Sequence, residues 1–325
     1  MGTYKEIRGT HIVSVTSDPP SPVNGQMWYN STDKVMKGFT SSPAGTWSTA
    51  ANMNTARHSG IASAGANAEA ALGFGGGPPP APGAVAITES WNGSAWTEVA
   101  DLNTARALAG GAGNYTSAIA AGGDQYSGTS ESWNGSSWTN ITSSPNTGHT
   151  QQGAGSDNED ALIFGGSPYA TNNQTDYWNG SSWTELANLN TARQVGAGSG
   201  KAYTAALAIG GVNPSPDSLA IVESYNGSSW TEVGDLNLGR SYMGADGTQT
   251  STLAFGGNTG PPNKSETESW NGSSWTETGD LNTARSYLGR GGANNTSALA
   301  FSGAPSAATE EFVTPTTSTV TFTVS

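Results

Sequence analysis

The sequence predicts an all-β fold made of six repeated four-stranded antiparallel sheets, and three observations support it. A tryptophan opens each repeat, with a spacing of 42 to 49 residues, at Trp47, Trp96, Trp138, Trp183, Trp230 and Trp275. A glycine pair follows a short aliphatic run at Gly75-Gly76, Gly122-Gly123, Gly165-Gly166, Gly210-Gly211 and Gly256-Gly257, and Ser302-Gly303 replaces it in the sixth repeat. Asn-Gly, a frequent hairpin turn, separates two further short runs. Such a period is typical of a β-propeller, in which each repeat forms one blade of a closed ring.

One repeat shows how the four strands of a blade are arranged. The small residues of Arg193–Gly198 predict the inner strand, and the alternating run Tyr203–Gly211 predicts the second strand. Leu219–Tyr225 and Trp230–Val233 predict the third and fourth strands, which Asn226-Gly227 joins. We expect a type I′ turn there, because Asn-Gly suits a turn that requires a positive φ at both central residues.

The phase of the repeats predicts how the ring closes. The repeat region begins with a fourth strand around Trp47 and ends after a third strand at 309–313, so these two strands are expected to complete one blade. The predicted division is an N-terminal attachment segment (1–46), the propeller (47–313) and a C-terminal strand (314–325). A hairpin at 27–39 and the alternating run 319–324 lie outside the six predicted blades. They either pair at the closure, form an attachment segment or build an irregular seventh blade.

Composition and charge exclude several functions. The net charge of −13 argues against nucleic acid and anionic membrane surfaces as partners. The absence of cysteine excludes disulfides, thiolate zinc sites and cysteine nucleophiles. No apolar run has the length of a transmembrane helix. Residues 1–8 lack the apolar core of a secretory signal, so we expect synthesis in the cytoplasm.

The six repeat-opening tryptophans are expected to pack between neighbouring blades. Sugar stacking is the alternative, but a residue that recurs at the same place in every repeat is typical of a structural role. Burial of an indole removes roughly 150–250 Å² from water, which would stabilise the contact between blades.

Five arginines each begin a predicted inner strand and should therefore surround one mouth of the ring. They are Arg57, Arg106, Arg193, Arg240 and Arg285. Each guanidinium could bond backbone carbonyls or a glutamate of a neighbouring blade, for which the candidates are Glu98, Glu185, Glu232 and Glu277. Alternatively, the arginines form a positive mouth that binds an acidic sugar or a carboxylate.

The loops between the second and third strands, called the variable loops below, differ in every repeat. They cover 78–83, 124–128, 167–173, 212–217 and 258–264, whereas the Asn-Gly turns are nearly identical. Strand direction places the variable loops on the same face as the arginines. Varied loops on a rigid frame are typical of a binding module. The candidate contact residues are Tyr126, Tyr169, Asn172, Asn173 and Asn213.

No metal, cofactor or catalytic residue is predicted. His11, His58 and His149 lack the spacing of metal ligands. The acidic stretch 157–160 is expected to be a solvated turn rather than a calcium site.

Two parts of the sequence resemble known families. The order of arginine, inner strand, aliphatic strand, Gly-Gly, third strand and tryptophan over 47–313 resembles kelch repeats, which implies a propeller. Residues 18–39, with Met27-Trp28-Tyr29-Asn30, resemble a short hairpin of tailed-phage structural proteins, which implies a place in a virion.

The function that we expect is a non-enzymatic component of a bacteriophage virion, such as a tail, fibre or surface-decoration protein. Residues 1–46 would attach it to other virion proteins, as a single copy or a homo-oligomer, and the variable loops would bind a host-surface carbohydrate or protein. One alternative is a glycan-processing enzyme, sialidase-like or lyase-like, that uses the arginine-lined mouth. Another is an intracellular kelch-type interaction scaffold.

Overall fold

The computed structural model describes residues 12–20, 26–41, 45–57, 61–77, 83–123, 129–145, 152–167, 173–213, 218–304, 306–314 and 317–322. Over these ranges the chain is all-β, without a helix, and hence without one that could cross a membrane. It divides into two compact units, Thr46–Val313 and Met1–Gly45 with Thr314–Ser325.

The strands follow the predicted repeat. Before and at the start of the repeats lie β1 (Val13–Val15), β2 (Met27–Asn30), β3 (Val35–Ser41) and β4 (Thr46–Ala50). The first three repeats contain β5 (Ala62–Asn67), β6 (Ala70–Phe74), β7 (Thr88–Trp91), β8 (Trp96–Glu98), β9 (Gly110–Asn114), β10 (Ser117–Ala121), β11 (Ser130–Trp133), β12 (Trp138–Ile141), β13 (Gln152–Asp157), β14 (Asp160–Phe164), β15 (Thr175–Trp178) and β16 (Trp183–Glu185). The others contain β17 (Ala197–Ala202), β18 (Ala205–Ile209), β19 (Val222–Tyr225), β20 (Trp230–Glu232), β21 (Gly244–Thr248), β22 (Ser251–Phe255), β23 (Thr267–Trp270), β24 (Trp275–Glu277), β25 (Gly289–Asn294), β26 (Ser297–Phe301) and β27 (Thr309–Val313). The last strand is β28 (Thr317–Phe322).

The larger unit contains six four-stranded antiparallel sheets. Five of them each consist of four consecutive strands, such as β5-β6-β7-β8, where Trp91 pairs with Trp96. The sixth has the order β25-β26-β27-β4, with Phe312 opposite Trp47. The first strand of the repeat region therefore completes the last sheet, as the phase of the repeats predicts.

The prediction of six sheets is too low, because the described residues form seven. The seventh has the order β1-β2-β3-β28, and its β1 and β2 are parallel. Of the three alternatives for the hairpin and the C-terminal strand, the structure has these two segments paired with each other, outside the repeats. Trp28 is buried in this unit, and its indole N–H donates to Asp18 Oδ1 at 3.0 Å.

The prediction of a type I′ turn at Asn-Gly is wrong. Between β7 and β8 the loop has four residues, 92–95, and Gly93 has a positive φ of 88° whereas Asn92 does not. The Asn92 side-chain oxygen instead accepts hydrogen bonds from the backbone N–H groups of Ser94 and Ala95. Asparagine therefore serves this turn through its side chain and not through a left-handed backbone.

Small residues let the inner strands approach one another closely. The neighbours in contact are β5 with β9, β9 with β13, β13 with β17, β17 with β21, β21 with β25, and β25 with β5. A Cβ atom on Gly153 would lie 2.3 Å from the carbonyl oxygen of Gly111. A Cβ atom on Gly65 would lie 2.6 Å from Gly291 Cα, so glycine is required where these backbones meet.

The six repeat-opening tryptophans lie between neighbouring sheets. Trp138 in β12 makes an edge contact with Phe74 in β6, with ring centroids 4.8 Å apart, and its indole N–H donates to Thr88 Oγ1 in β7. Four of the tryptophans donate an indole N–H to a threonine hydroxyl of a neighbouring sheet: Trp47, Trp96, Trp138 and Trp230. Trp183 and Trp275 donate instead to backbone carbonyls, of Thr142 and Gly234.

Candidate functional site

Arg57 lies at the start of its sheet and bonds the second and third strands. Its Nη2 donates to Glu89 Oε1 at 3.0 Å, and its Nη1 donates to the carbonyls of Gly75 and Ile87. The same carboxylate accepts hydrogen bonds from the backbone N–H groups of Asn54 and Thr55. One buried ion pair thus connects the entry of the inner strand to the middle of the third strand.

This arrangement recurs in all five repeats that contain the arginine. The pairs are Arg57–Glu89, Arg106–Glu131, Arg193–Glu223, Arg240–Glu268 and Arg285–Glu310, with N–O distances of 2.6 to 3.0 Å. Glu98, Glu185, Glu232 and Glu277 are therefore the wrong partners, because each arginine pairs within its own sheet.

The repeat contains a signal for the correct partner. A glutamate lies two residues before the aromatic residue that follows in the third strand, and it recurs with the same period as the arginine. In the repeat where His149 stands in the place of the arginine, Asp176 stands in the place of the glutamate. The two positions change together inside one chain. The Asp176 carboxylate accepts a hydrogen bond from Ser144 Oγ at 2.7 Å.

Burial removes the five arginines from contact with a ligand. Their exposed fractions are 0 to 1%. Burial lowers the pKa of Arg57 to about 10, and the charge of Glu89 opposes this shift, so the guanidinium remains charged at neutral pH. The pKa values of Arg193, Arg240 and Arg285 are lowered by burial in the same way. These side chains therefore do not offer the positive mouth that their places in the sequence suggested.

The predicted loop contacts are placed only in part. Tyr126, Tyr169 and Asn172 lie outside the described residues, as do His11, His58 and His149. Asn173 donates from Nδ2 to the carbonyl of Leu189 at 2.7 Å, which gives it a structural role. Asn213 is half-buried at the start of its variable loop.

The acidic stretch is a turn between β13 and β14. Asp157 Oδ1 accepts the backbone N–H of Glu159, and Asn158 bonds Ser117 and Ser132 of the preceding sheet. Burial raises the pKa of Asp160. Within the ranges that the structure describes, no three potential metal-ligating residues lie together.

Sequence reasoning missed a cavity of about 90 Å³ between the inner strands, called the inner cavity below. It lies at the end where the arginines precede these strands. Around its mouth, the residue two places after the arginine has a positive φ in four repeats, at Leu108, Val195, Tyr242 and Tyr287. The Tyr242 N–H donates to the Val195 carbonyl, and the Tyr287 N–H donates to the Tyr242 carbonyl. Left-handed backbone in bulky residues is uncommon, and it concentrates at functional sites.

Arg290 lies across the space between the inner strands. It belongs to β25, and its guanidinium donates to the carbonyls of Ala245, Gly153 and Gly111 in three other inner strands. It lines both the inner cavity and a smaller one of about 10 Å³. Burial lowers the pKa of Arg290, and the charge of Asp246 opposes this shift.

Gln152 gives the inner cavity an unpaired amide. Its side chain lines the cavity and is 3% exposed, and neither Nε2 nor Oε1 has a hydrogen-bond partner among the residues that the structure describes. The matching positions of the other five inner strands are alanine or glycine: Ala62, Gly110, Ala197, Gly244 and Gly289. A buried amide without partners is costly, and such groups in native proteins call for an explanation.

Comparison with known proteins places the chain in no family: no protein-family model matches its sequence, and no curated protein does. The repeats, the sheets and the inner cavity are therefore the basis for assigning a function. Together they define an all-β repeat protein with a small cavity of mixed polarity at one end of its inner strands.

Proposed function

We propose that the larger unit is a closed six-bladed β-propeller of the kelch type. Two contacts support closure of the ring. Strand β4 completes the sheet of β25, β26 and β27, and β25 packs against β5. The backbone N–H of Arg290 in β25 also donates to Ser63 Oγ in β5 at 3.1 Å.

We infer that this propeller is a non-enzymatic recognition module. The observation that carries the proposal is the contrast between constant and varied parts. The Arg–Glu pair recurs in five repeats, four of the six tryptophans share the same indole hydrogen bond to a threonine, and the Asn-Gly turns are nearly identical in sequence. The variable loops and the residues around the inner cavity differ between repeats. Arg57 bonds the carbonyls of Gly75 and Ile87, which flank a variable loop, so both varied parts lie at one end of the sheets. Recognition sites are commonly placed on varied loops that a rigid scaffold holds.

We further propose that the protein is a component of a bacteriophage particle, in a tail, a fibre or a surface decoration. The smaller unit supports this proposal, because its hairpin β2-β3 contains the residues that resemble virion proteins. In this proposal the smaller unit binds other virion proteins, and the propeller binds a host-surface carbohydrate or protein.

The two alternative functions are not retained. The glycan-processing enzyme depended on the five arginines to hold the carboxylate of a substrate, and those side chains are buried. No observation favours an intracellular kelch-type scaffold.

A loop replacement tests the recognition function. The full chain is screened on an array of bacterial surface glycans and for binding to bacterial cells, and released products are analysed in parallel. Replacement of 258–263 by a Gly-Ser linker is expected to weaken binding at least tenfold. Changes to Ser273 and Ser274, in the constant turn that follows β23, serve as the control and should leave binding unchanged.

Two results would contradict the proposal. Release of a cleaved product would show an enzyme. Equal binding by both variants would exclude the variable loops as the binding surface. The virion assignment is tested separately by immunoelectron microscopy of particles, where absence of the protein from purified virions would overturn it.

A further inference from the structure

We propose that the inner cavity binds the edge of a neutral hexose through two neighbouring hydroxyl groups. This inference rests on the proposed recognition function and names the ligand class more narrowly. It depends on the unpaired amide of Gln152, on the charge of the cavity wall and on the aromatic residues at its mouth.

The hydrogen-bonding capacity of Gln152 selects the ligand group. Nε2 can donate and needs an acceptor, whereas Oε1 can accept and needs a donor. A carboxylate or a halide would satisfy Nε2 and leave Oε1 unpaired. Two neighbouring hydroxyls satisfy both atoms, because one donates to Oε1 while the other accepts from Nε2.

The charge on the wall favours a neutral ligand. Among the described residues that line the inner cavity, Arg290 is the charged one, and its Nη1 and Nη2 already donate to three backbone carbonyls. A carboxylate in this cavity would have to compete with those carbonyls in a chain of net charge −13. An acidic sugar is therefore disfavoured.

The size of the cavity sets how far a sugar enters. Its volume is about 90 Å³. A cavity of roughly 150 Å³ holds one benzene ring, so only the edge of a hexose fits inside. The remaining face of the sugar would lie at the mouth, against Tyr242 and Tyr287, which are half-buried with ring centroids 4.1 Å apart.

Apolar side chains complete the site. Ile61, Val195, Met243 and Leu288 are buried and line the inner cavity. They offer contacts to the C–H groups of a sugar ring. Apolar side chains beside a few directed polar groups are typical of small-ligand sites.

The test measures binding of the methyl glycosides of glucose, galactose and mannose to the full chain by ligand-observed NMR and calorimetry, with N-acetylneuraminic acid as the acidic comparison. Gln152→Ala is expected to raise Kd at least tenfold for the hexose that binds. Alanine occupies the matching positions of β5 and β17, so this variant should fold. Tyr115→Ala is the matched control, since Tyr115 is 42% exposed in the turn after β9, at the other end of the inner strands.

The outcomes separate this inference from the proposed function. Equal hexose binding by the wild type and Gln152→Ala would overturn the site and leave carbohydrate recognition intact. Binding only of the acidic sugar, or of a protein partner, would overturn the ligand class and leave recognition intact. If the wild-type chain binds no glycan and no bacterial cells, both the site and the proposed recognition function are overturned. Crystals soaked with the hexose that contain only water at Gln152 would also overturn the site.

Discussion

The Arg57 guanidinium and the Glu89 carboxylate form an ion pair of 3.0 Å with both side chains fully buried. Arg57 precedes β5, whereas Glu89 lies on β7 of the same sheet. The pair therefore joins two parts of one repeat that are 32 residues apart in the chain.

We expect Glu89→Ala to lower the free energy of unfolding by about 3–5 kcal/mol, because the change leaves a buried guanidinium without its partner. The control is Glu98→Ala in β8, where the glutamate is exposed and the change should stay within about 0.5 kcal/mol. Chemical denaturation followed by tryptophan fluorescence measures both. Similar decreases in the free energy of unfolding for the two variants would contradict the structural role of the pair.

The tryptophan contacts predict that two tryptophan substitutions lower the free energy of unfolding by different amounts. Trp138→Ala should lower the free energy of unfolding by about 3–5 kcal/mol, because it removes a buried indole from Phe74 and Thr88. Trp183→Ala should have a smaller effect, since Trp183 is half-buried and the preceding sheet has Ala121 where Phe74 stands. Thermal melts of the two variants decide this point, and a larger loss for Trp183→Ala would count against it.

The close approach of the inner strands predicts a glycine requirement. Gly153→Ala should lower the free energy of unfolding by about 1–3 kcal/mol or more, because its Cβ would lie 2.3 Å from the Gly111 carbonyl oxygen. Gly83→Ala is the control, since a Cβ atom there would meet no described atom within 4 Å other than those of its chain neighbours. Calorimetry should find Gly83→Ala unchanged or slightly more stable. A harmless Gly153→Ala would disprove the close packing of β9 and β13.

The smaller unit should lose stability in acid. Hydrogen bonds from Lys37, Asn30 and Trp28 lower the pKa of Asp18 from 3.8 to about 2. A folded-state pKa below the unfolded value means that the carboxylate stabilises the unit above about pH 4, and that this contribution is lost as the pH falls towards 2. The Trp28 indole N–H resonance should report the loss by NMR. Asp18→Asn should abolish this transition and Asp33→Asn should retain it; an unchanged titration in Asp18→Asn would refute the assignment.

Periodicity determined much of this molecule. The repeated tryptophan, glycine pair and arginine predicted every four-stranded sheet of the larger unit, including the pairing of β4 with β27. Such features are readable because each repeat must form the same backbone and bury the same faces. The partner of the arginine was also present in the sequence, as a glutamate with the same period. Spacing along the chain alone did not distinguish Glu89 from Glu98.

Only the tertiary structure decided the seventh sheet, the burial of the arginines and the inner cavity. Gln152 and Arg290 interrupt the repeat at single positions, which in a periodic sequence look like simple irregularities. Their importance arises because inner strands distant in sequence approach one another, which places these side chains in a common space. A periodic sequence thus specifies its repeated contacts locally, whereas a site formed once depends on where the repeats meet.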